Sequence, residues 1–250
     1  PATEAAVWQA MGDAAFAIHQ FRDAKEYFQN AVKSSEVAFG ESDTRIAAAL
    51  YNVALAQSYA EDAKSLNLVK ITLERADTLA GEQVNKTSEL ALLAARAHAG
   101  YHATKLEPAL ALPYLEKTAS LLQRLRPEAR LERFSVQSQI TEALLRQGKP
   151  EAAMKRAQSL IQQMDQTPTD GGQELRANVQ MMLARSLRAL HRFDEAVRAA
   201  ELALENAASV NPDSRTVLLI RSQLAAIYDE AGDCEQSLEV MREVSAEATR

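Results

Sequence analysis

Small and apolar residues recur along the chain at intervals that fit helical hairpins. Near the C-terminus, Ala184 is followed twelve residues later by Ala196, and two further alanines come four and seven positions after that. Positions i, i+4 and i+7 share one face of an α-helix, and helices that cross closely need small side chains at the crossing. The polar stretch 189–192 separates the two small positions, so the pattern predicts two helices joined by a tight turn.

The same arrangement recurs in four copies, and two looser copies, from Ala54 to Val69 and from Ala94 to Ala111, lie between them in register. Each copy has a small residue in its first helix, and these markers are Gly12, Ala54, Ala94, Thr141, Ala184 and Ala225, separated by 42, 40, 47, 43 and 41 residues. A repeat length in this range indicates a solenoid of stacked units. No stretch alternates with period two over the length of a strand. The pattern therefore predicts an all-α fold.

Turn and capping residues divide the predicted single domain, 1–250, into six repeats. They are expected roughly at 4–40, 43–81, 84–126, 127–166, 172–209 and 213–250. Within them, a second helix is predicted from Lys64 and a first helix from Asn85. Pro108 suits the first turn of a helix, but Pro113 leaves a later start of that helix open.

Several of these positions carry a family resemblance. Trp8-x-x-Met11-Gly12, followed by Phe21, Ala24, Phe28 and Ala31, resembles the tetratricopeptide repeat (TPR) pattern. Residues 38–43 and 50–54 resemble the longer variant of kinesin light chains and many bacterial signalling proteins. The resemblance covers nearly the whole chain, although no copy ends with the usual proline. It implies a right-handed superhelical α-solenoid of about six TPR-like helix–turn–helix hairpins.

The resemblance also implies where a ligand binds. First helices line the groove in this family, so the exposed stripe is expected three residues before, one after and four after each marker. The predicted peptide-binding residues are Tyr51, Asn52, His98, Glu142, Leu145, Met181, Arg185 and Arg188. Of the clamp residues with which chaperone-tail-binding repeats hold a C-terminal carboxylate, only Asn52 has a counterpart here, so that ligand class is not expected.

Charge favours the middle of the chain as the main contact. The net charge is −6, yet residues 121–200 hold 13 Lys and Arg against 9 Asp and Glu. Arginine binds carboxylates through two N–H groups, and methionine adapts to irregular apolar shapes. Residues 138–188 are therefore expected to contact a peptide with acidic and apolar side chains. The alternative is that Glu142 and Arg185 only pair with each other across neighbouring helices.

No constellation of residues predicts catalysis, a metal or a cofactor. His98 and His102 share one helix face, but two ligands do not make a closed metal site, and phosphate-binding and nucleophile-elbow motifs are missing. The single cysteine, Cys234, excludes a disulfide within the chain and is expected to pack the turn of the last hairpin. No enzyme activity is expected.

These observations predict a non-catalytic scaffold that binds a peptide or a protein surface in its groove. The alternative is a sensory or regulatory segment of a larger bacterial signalling protein, a kinase or transcriptional regulator, or a peptide-signal receptor. No nucleic-acid binding is expected, because a basic face is lacking, nor membrane insertion, because no apolar run approaches ~18 residues. Homo-oligomerisation is left open. The cytoplasm is the favoured compartment, and the periplasm is the alternative if the chain is part of a longer protein.

Overall fold

The chain folds into twelve described helices arranged as hairpins. The computed structural model describes residues 1–60, 66–169 and 171–248, and no β-strand occurs among them. The all-α prediction is therefore confirmed for this part of the chain. The helices are α1 (Ala2–Ala17), α2 (Phe21–Phe39), α3 (Arg45–Ala60), α4 (Leu66–Ala80), α5 (Glu89–Thr104), α6 (Pro108–Leu125), α7 (Arg130–Arg146), α8 (Pro150–Gln166), α9 (Gly172–Ala189), α10 (Phe193–Val210), α11 (Arg215–Ala231) and α12 (Cys234–Ala248).

The helices group into two compact units of three hairpins each. Unit 1 spans Pro1–Glu128 and contains α1 to α6, and unit 2 spans Ala129–Arg250 and contains α7 to α12. In each unit the two helices of a hairpin pack against each other, and the second helix then packs against the first helix of the next hairpin in the order α2 with α3, α8 with α9 and α10 with α11. That the whole chain forms one domain stays a prediction.

Small residues lie where the helices of a hairpin cross. Ala184, Ala196 and Thr141 are completely buried. The helices approach closely at Gly12, where a Cβ atom would lie 2.4 Å from two ring carbons of Phe28. The small residues of the twelve-residue spacing are thus buried between the helices of their hairpins.

Helix α3 is enclosed almost completely inside unit 1. It packs against α2, α4 and α5, and twelve of its residues between Ile46 and Ser58 are buried. Its sequence, Arg-Ile-Ala-Ala-Ala-Leu-Tyr-Asn-Val-Ala-Leu-Ala, is apolar on nearly every side, and a helix of that kind is stable only when surrounded. The first helix of the second hairpin is therefore a core helix and presents little surface.

The turns inside the hairpins share one backbone conformation. One residue in each of five turns has a positive φ angle near the left-handed helical region; these residues are His19, Leu106, Gly148, His191 and Gly232. Histidine and leucine rarely adopt it, because the Cβ atom then crowds the backbone. His19 and His191 also contact Phe21 and Phe193, at ring distances of 5.6 and 5.8 Å, so the two turns are built alike.

Two predicted helix starts differ from the structure, and the start at Pro108, for which a later residue was the alternative, is confirmed. The first helix of the third hairpin begins at Glu89, not at Asn85, because residues Gly81–Asn85 form a short 3₁₀ helix and Ser88 caps α5 by accepting a hydrogen bond from the Ala91 amide. Helix α6 begins at Pro108 and continues through the exposed Pro113. Helix α7 begins at Arg130, three residues after the start of the predicted repeat 127–166. The predicted start at Lys64 lies outside the described residues.

The last helix of unit 2 is mostly exposed. Helix α12 packs mainly on α11, so its contact position Met241 is 46% exposed. Cys234, the first residue of α12, is exposed as well. The prediction that Cys234 packs the turn is wrong, because in the described part of the chain no aromatic ring packs on this end of α12 as Tyr59 stacks on Phe21 in the first hairpin.

Candidate functional site

Charged side chains connect the first helices of unit 2. The carboxylate of Glu142 on α7 accepts hydrogen bonds from Arg146 at 2.7 Å and from Arg185 of α9 at 2.8 Å. One turn further along α9, the Nε atom of Arg188 lies 3.7 Å from a carboxylate oxygen of Glu230 on α11. We call the surface formed by Glu142, Leu145, Arg185 and Arg188 the first-helix face of unit 2.

The two arginines of this face are anchored but accessible. Their side chains retain 37% and 29% of their exposure, against 21% for Glu142. A guanidinium group has five N–H donors, so one or two carboxylate contacts leave donors for a ligand. Ion pairs at such exposed positions contribute only about 0–1 kcal/mol. An incoming carboxylate can therefore compete with Glu142.

The apolar part of the predicted site is smaller than expected. Leu145 is half-buried and lies on the face. Met181 is only 9% exposed and belongs to the core of unit 2 with Ala184 and Ala203. Its position three residues before the marker points inward, so Met181 packs the hairpin and does not offer an adaptable surface.

In unit 1 two predicted ligand residues are buried. Tyr51 is completely buried, and its hydroxyl donates a hydrogen bond to Asp77 Oδ1 at 2.7 Å. Asn52 is 7% exposed. The expected exposed stripe is therefore wrong for α3, because this helix is enclosed by its neighbours. Neither side chain is presented to a ligand in this structure.

His98 belongs to a polar cluster between the helices of unit 1. Its Nε2 atom lies 3.1 Å from the same Asp77 oxygen that Tyr51 contacts, and its ring stacks on Tyr114 at 4.8 Å. His102 also stacks on Tyr114, at 5.7 Å, but its Nδ1 atom pairs with Glu107. The two imidazoles are thus bound to different carboxylates. The described residues contain no group of three His, Cys, Asp or Glu side chains placed to hold a metal ion.

This cluster shifts two pKa values. Burial raises the pKa of Tyr51, and the nearby Asp77 carboxylate raises it further. Burial also raises the pKa of Asp77, but hydrogen bonds from His98 and Tyr51 outweigh burial, so the pKa of Asp77 lies below its ordinary value. Tyr51 therefore acts as a neutral hydrogen-bond donor, and Asp77 acts as a charged acceptor that joins α3, α4 and α5.

Sequence reasoning did not identify the partners of these residues. Asp77, Tyr114 and Glu230 lie on other helices and were not predicted as site residues. The sequence did contain an indication that Asp77 lies between helices, because Asp77 directly follows Ala76, a buried contact position of its helix. A polar residue beside such a position faces the neighbouring first helix. Nothing in the local pattern around Tyr114 or Glu230 indicates their contacts.

Comparisons with known proteins agree with this architecture. Residues 175–246 match the sequence profile of the tetratricopeptide repeat family. Two crystal structures of TPR-like repeats assigned to a kinesin light chain of Podosopora anserina superpose with TM-scores of 0.64 and 0.63. Each is 18% identical and covers 82% of this chain, while the matched regions span 94% and 95% of those chains. No match was found among the curated proteins.

At 18% sequence identity, the likeness to these two structures is evidence for the fold alone. It confirms the prediction of an all-α repeat solenoid with repeats like those of kinesin light chains. Of the helices described, none is both long enough and apolar enough to cross a membrane.

Proposed function

We propose that the protein, whose residues 175–246 match the sequence profile of the tetratricopeptide repeat family, is a non-catalytic scaffold that binds other polypeptides. We place the ligand on the first-helix face of unit 2. The observation that carries this proposal is the pair Arg185 and Arg188, which lie one turn apart on α9 with their guanidinium groups partly exposed.

The chemistry of this face selects a class of ligand. Two guanidinium groups on α9, with Leu145 one turn after Glu142 on the neighbouring α7, suit a peptide that carries carboxylates beside an apolar side chain. Residues 121–200 also hold 13 Lys and Arg against 9 Asp and Glu, and this net positive charge would speed the approach of an acidic partner. Unit 1 does not extend the site through Tyr51 or Asn52, because both are buried.

Glu142 sets the affinity of this face for an acidic ligand. Its carboxylate occupies donors of Arg185 in the free protein, so a ligand carboxylate must replace it. Removing the charge of Glu142 should therefore strengthen binding. If the pair of Glu142 and Arg185 were only a structural contact, the same change would leave the affinity for an acidic peptide unchanged.

The test uses a fluorescein-labelled peptide with the central sequence Leu-Glu-Ser-Glu-Leu, measured by fluorescence polarisation. Arg185→Glu with Arg188→Glu should lower the affinity by about tenfold or more and flatten its salt dependence. Glu142→Gln should raise the affinity several-fold.

The matched control is Lys155→Glu with Arg242→Glu. Both residues are exposed in unit 2, and their replacement changes the net charge equally. This control should bind the peptide almost as the unchanged protein does. Unchanged affinity in the Arg185 and Arg188 double variant, with helicity preserved, would remove the first-helix face as the binding site.

A further inference from the structure

An open groove runs along the other side of α9 in unit 2. Helices α8 and α10 form its walls, α9 forms its floor, and its volume is about 860 Å³. Binding sites for small ligands commonly enclose about 300–1,000 Å³. The floor residues Leu183 and Leu187 point away from Arg185, because two positions along a helix differ by about 200°. The groove is therefore separate from the first-helix face.

Three kinds of contact follow one another along the α10 wall. Arg198, Leu202 and Asn206 are spaced by four residues and line the groove at successive turns. Leu202 is 50% exposed and, with Leu183 and Leu187 on the floor, forms an apolar middle section. The groove thus offers a cation, an apolar surface and an amide in a row.

The cation at one end has unused donors. The neighbouring carboxylate, Glu195, is bound by another residue, because both of its oxygens accept hydrogen bonds from Arg192 at 2.7 Å. These hydrogen bonds are the main cause of the lowered pKa of Glu195, and the charge of Arg198 lowers it to a smaller extent. Among the described residues, no hydrogen bond or ion pair engages the guanidinium group of Arg198. A ligand carboxylate would find this group unoccupied.

The amide end has unused capacity as well. Gln180 is only 4% exposed, and its Oε1 atom accepts a hydrogen bond from Asn206 at 3.1 Å. Its Nε2 atom donates to no acceptor in the described part of the chain. Since no fully buried side-chain nitrogen or oxygen lacks a partner there, this nitrogen retains some exposure, and Gln180 lines the groove. An amide donor held in place at an apolar groove suits the carbonyl group of a peptide.

We propose that this groove binds an extended peptide whose acidic side chain contacts Arg198, whose apolar side chain covers Leu202, and whose main chain pairs with Gln180. The spacing fits this ligand. Four residues of helix rise about 6 Å, and two residues of extended chain, whose side chains share one face, span about 6.6 Å. The preferred sequence is therefore an acidic and an apolar residue separated by one position. This proposal does not depend on a ligand at the first-helix face.

The experiment measures a fluorescein-labelled eight-residue peptide with a central Glu-Ser-Leu by fluorescence polarisation against the full chain. Replacing the peptide Glu by Gln should weaken binding about fivefold to the unchanged protein and less than twofold to Arg198→Gln. Peptides with Glu and Leu adjacent, or two residues apart, should bind more weakly. Lys155→Gln, an exposed change on α8 outside the groove lining, should keep the full Glu preference.

The outcomes separate the two sites. Binding that persists in Arg185→Glu with Arg188→Glu and loses its Glu preference in Arg198→Gln assigns the peptide to the groove. Binding lost only in the Arg185 and Arg188 double variant overturns the groove and favours the first-helix face. A peptide that does not bind at millimolar concentration, or an equal Glu preference in Arg198→Gln, also overturns the proposal.

Discussion

Replacing Gly12 by alanine adds one methyl group at a close contact between the two helices of the first hairpin. The new Cβ atom would lie 2.4 Å from Cδ1 and Cε1 of Phe28 and 2.9 Å from Cζ. These distances are far below van der Waals contact, so the ring or the helix must move. The ring cannot simply turn outward, because Phe28 is only 2% exposed and is surrounded by packed side chains.

Two opposing effects set the size of the change. Overpacking of a core costs about 1–3 kcal/mol, and overlap with two ring carbons of a buried side chain argues for the upper end. Alanine has a higher helix propensity than glycine, by about 1 kcal/mol. The Gly12→Ala variant should therefore be less stable by about 2 kcal/mol. The exposed Ala14→Gly on the same helix measures the propensity effect alone.

The fluorescence of Trp8 provides a local assay. Trp8 is the only tryptophan and stacks on Tyr27 at 5.9 Å within the first hairpin, so its emission during urea unfolding reports on this hairpin. Phe28→Leu, which shortens the ring side chain, should partly rescue Gly12→Ala, with a coupling energy of about 1–2 kcal/mol in the double-mutant cycle. A stabilised Gly12→Ala variant, or independent effects of the two changes, would refute the close contact.

Three further changes test other features of the fold. Leu106→Gly should stabilise unit 1 by about 0.5–1 kcal/mol, since it removes left-handed strain at an exposed turn residue; a destabilised variant in urea unfolding would contradict this. Ala196→Phe should destabilise unit 2 by about 1–3 kcal/mol, and amide hydrogen exchange should become faster only in the fifth hairpin and its neighbours. Equally faster exchange along the whole chain from Pro1 onward would contradict local packing. The pKa of Asp77 is lowered in the folded state, so the stability that its charge contributes is present above its unfolded pKa of about 3.9 and is lost as pH falls through the lower folded pKa. Asp77→Asn should therefore reduce the acid-induced loss of stability in unfolding curves from pH 5 to 2. An unchanged pH dependence would contradict the contacts of Asp77.

The hairpin contacts could be predicted from the sequence because they are local. Ala184 and Ala196 lie twelve residues apart, and both are completely buried. This spacing alone determines which faces of two consecutive helices meet. The helix starts were less certain, as at Asn85, because a 3₁₀ turn and a Ser88 cap are alternatives that the apolar pattern does not distinguish.

The binding surface could be predicted only in part, because it depends on which helices cover each outer face. The expected stripe requires every first helix to be exposed on the same side, but α3 is enclosed by α2, α4 and α5. Its alanine-rich sequence contained this information, since a helix that is apolar on all sides must be buried. The alternative in which Glu142 pairs with Arg185 is observed, and it coexists with partly exposed guanidinium groups that the proposal requires.

Hydrogen–deuterium exchange with and without the Leu-Glu-Ser-Glu-Leu peptide tests the central claim most directly, because it locates a bound polypeptide without altering the protein. Residues 138–146 of α7 and 226–230 of α11 border the first-helix face, whereas residues 198–206 of α10 line the separate groove. Slower exchange on peptide addition in α7 and at the end of α11, with α10 and unit 1 unchanged, is the predicted result. Slower exchange confined to α10 or to unit 1, or no change at saturating peptide, would contradict a polypeptide-binding scaffold that uses the first-helix face of unit 2.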